Sequence, residues 1–451
     1  MESVERWPTS IGDIFQEYKG LFMALTPQQQ IAYNFMSTGE NVFLTGEAGS
    51  GKSFLIREFM KDKSSKEFPI LASTGAAAVL VGGRTFHSFF GLGIMEGGPE
   101  QTIERALKDR RVIKRLQEVK GVIIDEISMI SGTTFMVAEE IARMARGKDE
   151  PWGGLQVIAV GDFAQLPPVE VGGNPLKKNW AFIQRTWKHT NFIPFQLTKN
   201  LRTNNEDFLT VLNYVRRGEV TNLVSDFLNQ RKKNPKSELK NVTRLYPRRY
   251  QTETYNKKRL DELESELKVF PSIFWGKEWA IQQLKKHSPL AEKIELKQQA
   301  LVMLRSNDPI GRWVNGTTGW VEEFKDDHIF VRLKESNALV KVEPMTFSLL
   351  DAEGEPVASV TNYPLSLAYS TTIHKAQGMT LDGAIINLKS LWEPGQAYVA
   401  LSRVKDPKSL YIEDWSASSI KTDPMVMKFY EHVKAYLEEL MASEPSMESR
   451  L

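Results

Sequence analysis

An eight-residue segment at positions 46–53 has the residue types and spacing of a phosphate-binding loop. Its sequence, GEAGSGKS, matches the pattern G-x-x-x-x-G-K-[ST] at every position. Glycines allow a tight turn in which successive backbone N–H groups point at phosphate oxygens. In this pattern Lys52 reaches the β- and γ-phosphates, and Ser53 helps to hold Mg²⁺. The segment therefore predicts a site for a nucleotide with a bound Mg²⁺.

The residues on both sides of this loop fit the same interpretation. Residues 41–45 are apolar and rich in strand-forming types, and residues 53–60 have the pattern of a helix start. A helix N-terminus adds partial positive charge where the phosphates would bind. An ordinary glycine-rich loop is the alternative, and the agreement of strand, loop and helix disfavours it.

Two adjacent acids follow another apolar strand pattern. Residues 122–124 are Val-Ile-Ile, and Asp125 and Glu126 come directly after them. Ligands of open α/β sheets bind at the carboxyl ends of the strands. We expect Asp125 to hold Mg²⁺ through water and Glu126 to polarise the attacking water. A strand-end turn with two solvated acids is the alternative.

The composition indicates a globular protein with several domains. The chain has 451 residues, of which 41% are hydrophobic and 25% charged, and this length exceeds that of a single core. No apolar run could span a bilayer, and the first residues lack the apolar core of a signal peptide, so an intracellular location is expected. The absence of cysteine excludes disulfides and cysteine-ligated metal. A net charge of +2 neither requires nor excludes nucleic acid as a partner.

The order of the patterns predicts an α/β fold. From residue 41 to about 195 strands alternate with helices, which is typical of a parallel sheet covered by helices. A charged segment at 93–115 interrupts this alternation and is predicted to be an insertion. A second α/β region begins near residue 196. Within it, residues 297–362 break into short strand patterns with a tight-turn signal at Asn315-Gly316, which predicts a small inserted β-barrel.

A final helix is predicted from Pro424, with Asp423 before it. Its apolar positions form a stripe at helical spacing, which predicts a packing face rather than a partner site. The stripe consists of Val426, Phe429, Val433, Tyr436, Leu437 and Leu440.

Further motifs give the chain a resemblance to a known family. Residues 161–168 are GDFAQLPP, residues 368–382 are AYSTTIHKAQGMTLD, and residues 396–404 are QAYVALSRV. Together with the phosphate loop and the paired acids, they resemble superfamily-one DNA helicases and, within these, the RecD-like PIF family. The resemblance extends from about residue 25 to residue 415, and the stretch from 128 to 168 is its most family-specific part.

The resemblance implies an ATP- and Mg²⁺-dependent DNA helicase that moves 5′→3′ along single-stranded DNA. It implies an α/β fold class with two RecA-like parallel-sheet motor domains, a small wedge insertion and an inserted SH3-like β-barrel. The implied boundaries are 1–21 for an N-terminal extension, 22–92 and 116–195 for the first motor domain, 93–115 for the wedge, 196–296 and 363–424 for the second motor domain, 297–362 for the barrel, and 425–451 for the C-terminal helix and tail.

The resemblance also implies roles at the ATP site. Gln29 would bind the adenine, although it can also serve only as the capping-box residue of a helix that begins after Thr26. Gln165 would sense the γ-phosphate or orient water. The implied catalytic set is Lys52, Asp125, Glu126, Gln165, Arg202 and Arg403. The implied nucleotide-binding set is Gln29, Gly46, Glu47, Ala48, Gly49, Ser50, Gly51, Lys52, Ser53, Gly378, Arg202 and Arg403, with Ser53 and Asp125 for Mg²⁺.

Physical reasoning supports the two arginines independently. A phosphate loop and acids on one sheet, with arginines from a second sheet, form a site across a cleft. Closing that cleft on ATP would bring Arg202 and Arg403 to the developing charge, as an arginine finger does in cis. A surface ion pair is the alternative for each of them.

DNA is expected to lie across both motor domains, with the barrel closing over the strand and the wedge splitting the duplex. The implied contact residues are Ser73, Thr74, Gly75, Thr85, His87, Phe89, Thr372, His374 and Lys375. Phe86, Phe89 or Phe90 could stack on bases, while core packing is the alternative for each.

The expected partners are single-stranded DNA and 5′-tailed or forked duplexes, with G-quadruplex DNA as a further candidate. No membrane association is expected. We expect a monomer, with a dimer on DNA as the alternative. The long N-terminal extension of nuclear and mitochondrial family members is absent, which favours a bacterial or phage origin and a cytoplasmic location at the nucleoid.

Two other classes of function remain open at this point. One is a nucleic-acid-stimulated P-loop ATPase that remodels protein–DNA complexes without processive unwinding. A comparison of strand separation with DNA-stimulated ATP hydrolysis would distinguish it from a helicase. The other is a non-catalytic nucleic-acid-binding module with a degenerate ATP site, and the intact set of Lys52, Asp125, Glu126, Arg202 and Arg403 argues against it.

Overall fold

The computed structural model contains two parallel sheets, a β-rich insertion and a long C-terminal helix. It describes residues 25–73, 84–93, 95, 97–168, 178–232, 241–287, 290–306, 308, 310, 312–313, 315–350 and 356–443. The predicted N-terminal extension at 1–21 lies outside these residues. No helix in the described part of the chain is long and apolar enough to cross a membrane.

The first motor domain is built on a six-stranded sheet in which every strand pair is parallel. The spatial order is β3-β2-β4-β5-β1-β6. Strand β1 is buried at every position, as expected when helices cover both faces of a parallel sheet. Its strands are β1 Val42–Gly46, β2 Ile70–Ala72, β3 Arg84–Thr85, β4 Gly121–Ile124, β5 Gln156–Val160 and β6 Ile193–Leu197.

Seven helices accompany this sheet in the described residues. The first begins with the predicted capping box, because the Thr26 hydroxyl accepts from the Gln29 N–H and the Gln29 Oε1 accepts from the Thr26 N–H. The helices are α1 Pro27–Ser37, α2 Lys52–Phe59, α3 Phe86–Phe89, α4 Gly98–Lys108, α5 Arg110–Glu118, α6 Gly132–Arg146 and α7 Arg185–Thr190.

The predicted insertion at 93–115 corresponds to α4 and α5, and α5 continues to residue 118. In these two helices Ala106, Val112 and Leu116 are buried in the core of the first motor domain. The helical part of the insertion is therefore attached to the domain by packing. Its splitting of duplex DNA stays a prediction.

The second motor domain has a four-stranded parallel sheet in the order β18-β7-β19-β20. Helices α8 Glu206–Arg217, α9 Asn222–Gln230 and α10 Arg249–Asp261 belong to its first half. Its strands are β7 Thr243–Tyr246, β18 Ser370–Thr372, β19 Ala384–Leu388 and β20 Leu410–Trp415. The two parallel sheets confirm the predicted α/β fold class.

The inserted β region is larger than predicted. Its main sheet is antiparallel, with the order β14-β13-β12-β11-β17. The strands are β11 Leu301–Leu304, β12 Thr318–Lys325, β13 His328–Leu333, β14 Leu339–Val342 and β17 Leu365–Leu367. Strand β17 lies beyond the predicted boundary at residue 362. The assignment of this sheet to the SH3-like class stays a prediction.

Residues 268–296, predicted to belong to the second motor domain, pair with the inserted region instead. Strand β9 Ile273–Gly276 pairs with β16 Pro356–Asn362, which in turn pairs with β15 Met345–Leu350. Strand β8 Lys268–Pro271 pairs with β10 Lys293–Leu296, and α11 Glu278–His287 packs on β16. The structure therefore places the start of this region near residue 268 rather than 297.

The C-terminal helix returns to the first motor domain after the second has been completed. Short helices α12 Ile373–Ala376 and α13 Gln396–Leu401 precede it, and α14 spans Pro424–Ser443. Most of the predicted stripe faces the protein, but Tyr436 is 43% exposed. Tyr430, which the prediction omitted, is buried instead in the core of the first motor domain.

Candidate nucleotide and nucleic-acid site

The predicted phosphate loop follows β1 and ends in the first turn of α2. Gly49 has φ +88°, and a Cβ there would lie 2.6 Å from the Arg202 Cβ, so this position requires glycine. The Lys52 Nζ donates to the carbonyl oxygens of Gly46 at 2.7 Å and Glu47 at 3.0 Å. Desolvation lowers the pKa of Lys52, while the carboxylates of Asp162 and Glu126 oppose this change. Ser53 is exposed at the start of α2.

The loop contains one buried polar atom without a protein partner. Ser50 is 3% exposed, and its Oγ has no hydrogen-bond partner among the described residues. A buried hydroxyl is normally hydrogen-bonded, so an unpaired one inside a phosphate-binding loop fits an anionic ligand. The oxygen ligands of Ser53 and Asp125 are those that Mg²⁺ prefers.

The two acids after β4 have the predicted position beside the phosphate loop. The Asp125 Oδ1 accepts from the Glu126 N–H at 3.0 Å. Desolvation of the Asp125 carboxyl, reinforced by the charge of Glu126, raises its pKa above the ordinary value. Glu126 has φ +52° and ψ +49°, a left-handed conformation that is uncommon for this residue type. Such strained conformations are concentrated at functional sites.

The two predicted arginines reach the site from different domains: Arg202 follows β6 of the first sheet and lies beside the phosphate loop, whereas Arg403 follows α13 of the second motor domain. The Arg202 Nη1 donates to the Ser402 carbonyl at 2.6 Å. Arg403 is 2% exposed and donates to the Val399 carbonyl, the Met379 carbonyl and the Ser402 hydroxyl. Burial, and then the charge of Arg202, lowers the pKa of Arg403 to about 9. Within the described residues Arg403 donates to neutral oxygens. Its guanidinium is therefore a buried cation suited to an anionic ligand.

Of the two roles predicted for Gln29, the structure shows that of the capping-box residue. Gln29 is 1% exposed, completes the capping box and also donates from Nε2 to the Gly51 carbonyl at 3.3 Å. It therefore connects α1 to the phosphate loop. Its contact with adenine stays a prediction.

Gln165 and Gly378 lie close to the contact between the two motor domains. Gln165 is 5% exposed, and a Cβ at Gly395, at the start of α13, would lie 2.2 Å from its carbonyl oxygen. Gly378 has φ +76° and open space around it. Its neighbour Gln377 donates from Nε2 to the Glu126 Oε2 at 3.1 Å. Gln377 is therefore a site residue that sequence reasoning missed.

Three more missed residues hold the phosphate loop: Tyr398 and Asn213 belong to the second motor domain, and Asn200 lies between β6 and α8. The Tyr398 hydroxyl accepts from the Ala48 N–H at 2.9 Å, and the Asn200 side chain donates to the Ala48 carbonyl at 2.9 Å. The Asn213 side chain donates to the Glu47 carboxylate at 2.8 Å. Tyr398 lies within residues 396–404, a motif that resembles the family, but only Arg403 of that motif was selected.

The predicted DNA contacts occupy equivalent positions in the two motor domains. Thr85 and Thr372 are each the last residue of a strand, β3 or β18, and each caps a four-residue helix, α3 or α12. Each hydroxyl accepts from the N–H three residues ahead at 3.2 Å. His87 and His374 occupy the second position of these helices. Lys375 is exposed next to His374. Burial lowers the pKa of His374, so its ring is neutral near pH 7.

The structure corrects the predicted base stacking by Phe89. Phe86, Phe89 and Phe90 are at most 1% exposed, and the Phe90 ring packs against Trp152 at 5.7 Å. These rings fill the core of the first motor domain, so none presents a face to a base. The Ser73 hydroxyl lies 3.5 Å from the Met129 sulfur. Thr74 and Gly75 lie outside the described residues.

Comparison with known proteins gives consistent results. A family model described as PIF1-like helicase matches residues 24–226. ATP-dependent DNA helicase Pif1 of Bdellovibrio bacteriovorus is 52% identical over 406 residues, which cover 90% of this chain and 91% of that protein.

Two solved structures are similar over nearly the whole chain. The Bacteroides sp. Pif1 complex with ADP–AlF4 has a TM-score of 0.80 at 30% identity and covers 92% of this chain and 98% of that one. Bacteroides Pif1 bound to single-stranded DNA has a TM-score of 0.66 at 30% identity, with coverage of 93% and 98%.

Proposed function

The chain belongs to the PIF1-like helicase family, and we propose that it hydrolyses ATP between its two motor domains to unwind duplex DNA. The observation that carries this proposal is that residues of the second motor domain meet the phosphate loop and the paired acids of the first. Lys52, the Asp125–Glu126 pair and Arg202 lie on segments that follow strands of the first sheet. Arg403 follows α13 in the second motor domain, and Arg202 reaches it through its bond to the Ser402 carbonyl. Hydrolysis in such a site depends on both domains and can therefore drive their relative motion.

ATP binding would use the loop as a cradle for the phosphates. Lys52 would exchange its two backbone carbonyl partners for the β- and γ-phosphates, and Ser50 would gain a partner for its buried hydroxyl. Ser53 and Asp125 would hold Mg²⁺, which neutralises charge on the phosphates. Desolvation raises the pKa of Asp125, and a bound cation would lower it again, because a cation beside the carboxylate favours its charged form.

The cleavage step would use Glu126 and the two arginines. Glu126 would orient a water and draw its proton as the water attacks the γ-phosphorus, while Gln377 holds the carboxylate in place. Arg202 and Arg403 would stabilise the negative charge on the γ-phosphoryl oxygens. Both must give up bonds to neutral oxygens to do so, and closure of the cleft would bring the phosphate to them.

Motion along DNA would require two similar DNA-contacting helices, one on each motor domain. The threonine-capped helices α3 and α12 present His87 and the His374–Lys375 pair from different motor domains. When the two domains close and open, the distance between these two helices changes. Net movement along the strand results if the two helices bind DNA tightly in alternation. The 5′→3′ direction is proposed from family membership. Tailed and forked duplexes are the proposed substrates, with G-quadruplex DNA as a further candidate and the bacterial nucleoid as the proposed location.

Unwinding and ATP hydrolysis measured on the same 5′-tailed duplex test this function. A helicase separates the strands in an ATP-dependent manner. DNA-stimulated hydrolysis without strand separation would favour the alternative, an ATPase that remodels protein–DNA complexes.

Replacing Lys375 with alanine is expected to lower the affinity for single-stranded DNA and also to reduce the dependence of that affinity on salt. The exposed lysine would contact one phosphate, so the slope of log affinity against log salt should fall in magnitude by about 0.7. Titration of a labelled oligonucleotide at several salt concentrations measures this. Lys389→Ala is the matched control, because Lys389 is already paired with Asp414 at 2.9 Å. An unchanged slope in Lys375→Ala would exclude this lysine from the DNA track.

Deleting residues 94–99 is expected to reduce unwinding far more than single-strand-stimulated ATP hydrolysis. The deletion removes the residues before α4 together with Gly98 and Pro99 at its start, and leaves the buried Ala106, Val112 and Leu116 in place. Strand separation and ATP hydrolysis of one preparation give the comparison. Equal losses in both assays would make the insertion a structural brace and not a wedge.

A further inference from the structure

The C-terminal helix contributes a hydroxyl to the base of the ATP site. The Tyr430 hydroxyl on α14 lies 2.9 Å from the Asp162 Oδ1, 2.9 Å from the Thr45 Oγ1 and 3.0 Å from the Phe163 nitrogen. Donation to Asp162 and acceptance from Thr45 and the Phe163 N–H use the full capacity of a tyrosine hydroxyl. All three contacts are buried, so each is a defined constraint.

The residues bonded to this hydroxyl are close in sequence to predicted catalytic groups. Thr45 is followed by Gly46, the first residue of the phosphate loop, and Asp162 and Phe163 stand shortly before Gln165. Asp162 also fixes this turn by accepting from the Ala164 N–H at 3.0 Å. Tyr430 thus connects the base of the phosphate loop to the turn that carries the predicted γ-phosphate sensor.

The hydrogen bonds around Tyr430 and Asp162 also include a residue of the second motor domain. Arg216 on α8 donates from Nε to the Asp162 Oδ2 at 3.1 Å and from Nη2 to Oδ1 at 2.8 Å. Its guanidinium lies over the Tyr430 ring, 4.5 Å from the centroid. Although burial raises the pKa of Asp162, Arg216 brings it below its usual value. The pair stays charged, and breaking a buried pair of this kind is costly.

We propose that Tyr430 is a positioning residue for ATP hydrolysis, whose hydroxyl fixes Gln165 relative to the phosphate loop. The C-terminal helix is then a functional part of the ATPase site as well as a packing element. The ring alone would suffice for packing against Phe429 and Arg216. The hydroxyl adds the three hydrogen bonds that set the spacing of the two catalytic segments. This inference rests on the proposed ATP hydrolysis.

The Tyr430→Phe variant separates positioning from packing, because it removes only the hydroxyl. We expect kcat for DNA-stimulated hydrolysis to fall about tenfold, the scale of a lost hydrogen bond to a charged group, with KM for ATP little changed. Phe429→Leu is the packing control, since the Phe429 ring stacks on Phe182 at 4.4 Å and makes no hydrogen bond through its side chain. It should lower Tm while kcat per folded molecule stays unchanged. Tyr436→Phe, on the exposed face of α14, should alter neither quantity.

The outcomes distinguish this inference from the proposed function. A parental protein without DNA-stimulated hydrolysis would contradict the function itself. An active parent with an equally active Tyr430→Phe variant would overturn the positioning role alone. Equal losses of kcat in Tyr430→Phe and Phe429→Leu would also overturn it, because they would show that packing of the helix is what matters.

Discussion

The Lys52→Ala variant is expected to lose ATP hydrolysis, with kcat reduced by about 10³-fold, the effect of removing one preorganised electrostatic group from an active site. Among the described residues the Lys52 Nζ donates to the carbonyl oxygens of Gly46 and Glu47 and forms no ion pair. Replacing Lys52 with alanine therefore breaks no ion pair among the described residues. What the variant loses is the contact between the lysine and the charged phosphates of ATP. Phosphate release with saturating DNA measures the rate.

Lys61→Ala is the matched control for this variant. Lys61 lies just after α2, is largely exposed and pairs with Glu58 three residues before it. The same substitution there should leave hydrolysis unchanged, because surface ion pairs contribute little. Hydrolysis in Lys52→Ala at the parental rate would show that residues 46–53 do not form the catalytic phosphate loop.

The Glu126→Gln variant is expected to bind ATP but to turn over about 10³-fold more slowly, within the range for loss of a general base. Glutamine preserves the size of the side chain, and its carbonyl oxygen can still accept from Gln377. It cannot take a proton from the attacking water. Affinity for a fluorescent ATP analogue, measured beside kcat, separates binding from turnover.

Glu118→Gln provides the comparison, because Glu118 is exposed at the end of α5 in the same domain. It should bind and hydrolyse ATP as the parent does. Near-normal DNA-stimulated hydrolysis by Glu126→Gln would exclude Glu126 as the catalytic base, even if ATP binding were intact.

Local sequence patterns predicted the elements that carry the nucleotide site. Strand β1 was expected at 41–45 and spans Val42–Gly46, and the capping box of Thr26 and Gln29 is present. These features depend on neighbouring residues, so a linear pattern contains them. The start of the inserted β region depends on β9 pairing with β16, about 80 residues later, and no local pattern records that pairing.

The same limit applies to the candidate site. The charged groups were recognisable from motifs, whereas Gln377, Tyr398 and Tyr430 act through hydrogen bonds that exist only once distant segments meet. Phe89 shows the converse error. An aromatic residue in a predicted DNA-binding motif suggested stacking, but four-residue helix α3 turns this ring into the core.

Unwinding of 5′-tailed and 3′-tailed duplexes by the same preparation tests the central claim most directly. The two substrates carry the same duplex and differ only in the polarity of the single-stranded tail. With ATP, the protein should separate the 5′-tailed duplex and leave the 3′-tailed duplex intact, and Lys52→Ala should separate neither. Unwinding of only the 3′-tailed duplex, or ATP-independent separation of either, would contradict an ATP-driven 5′→3′ helicase.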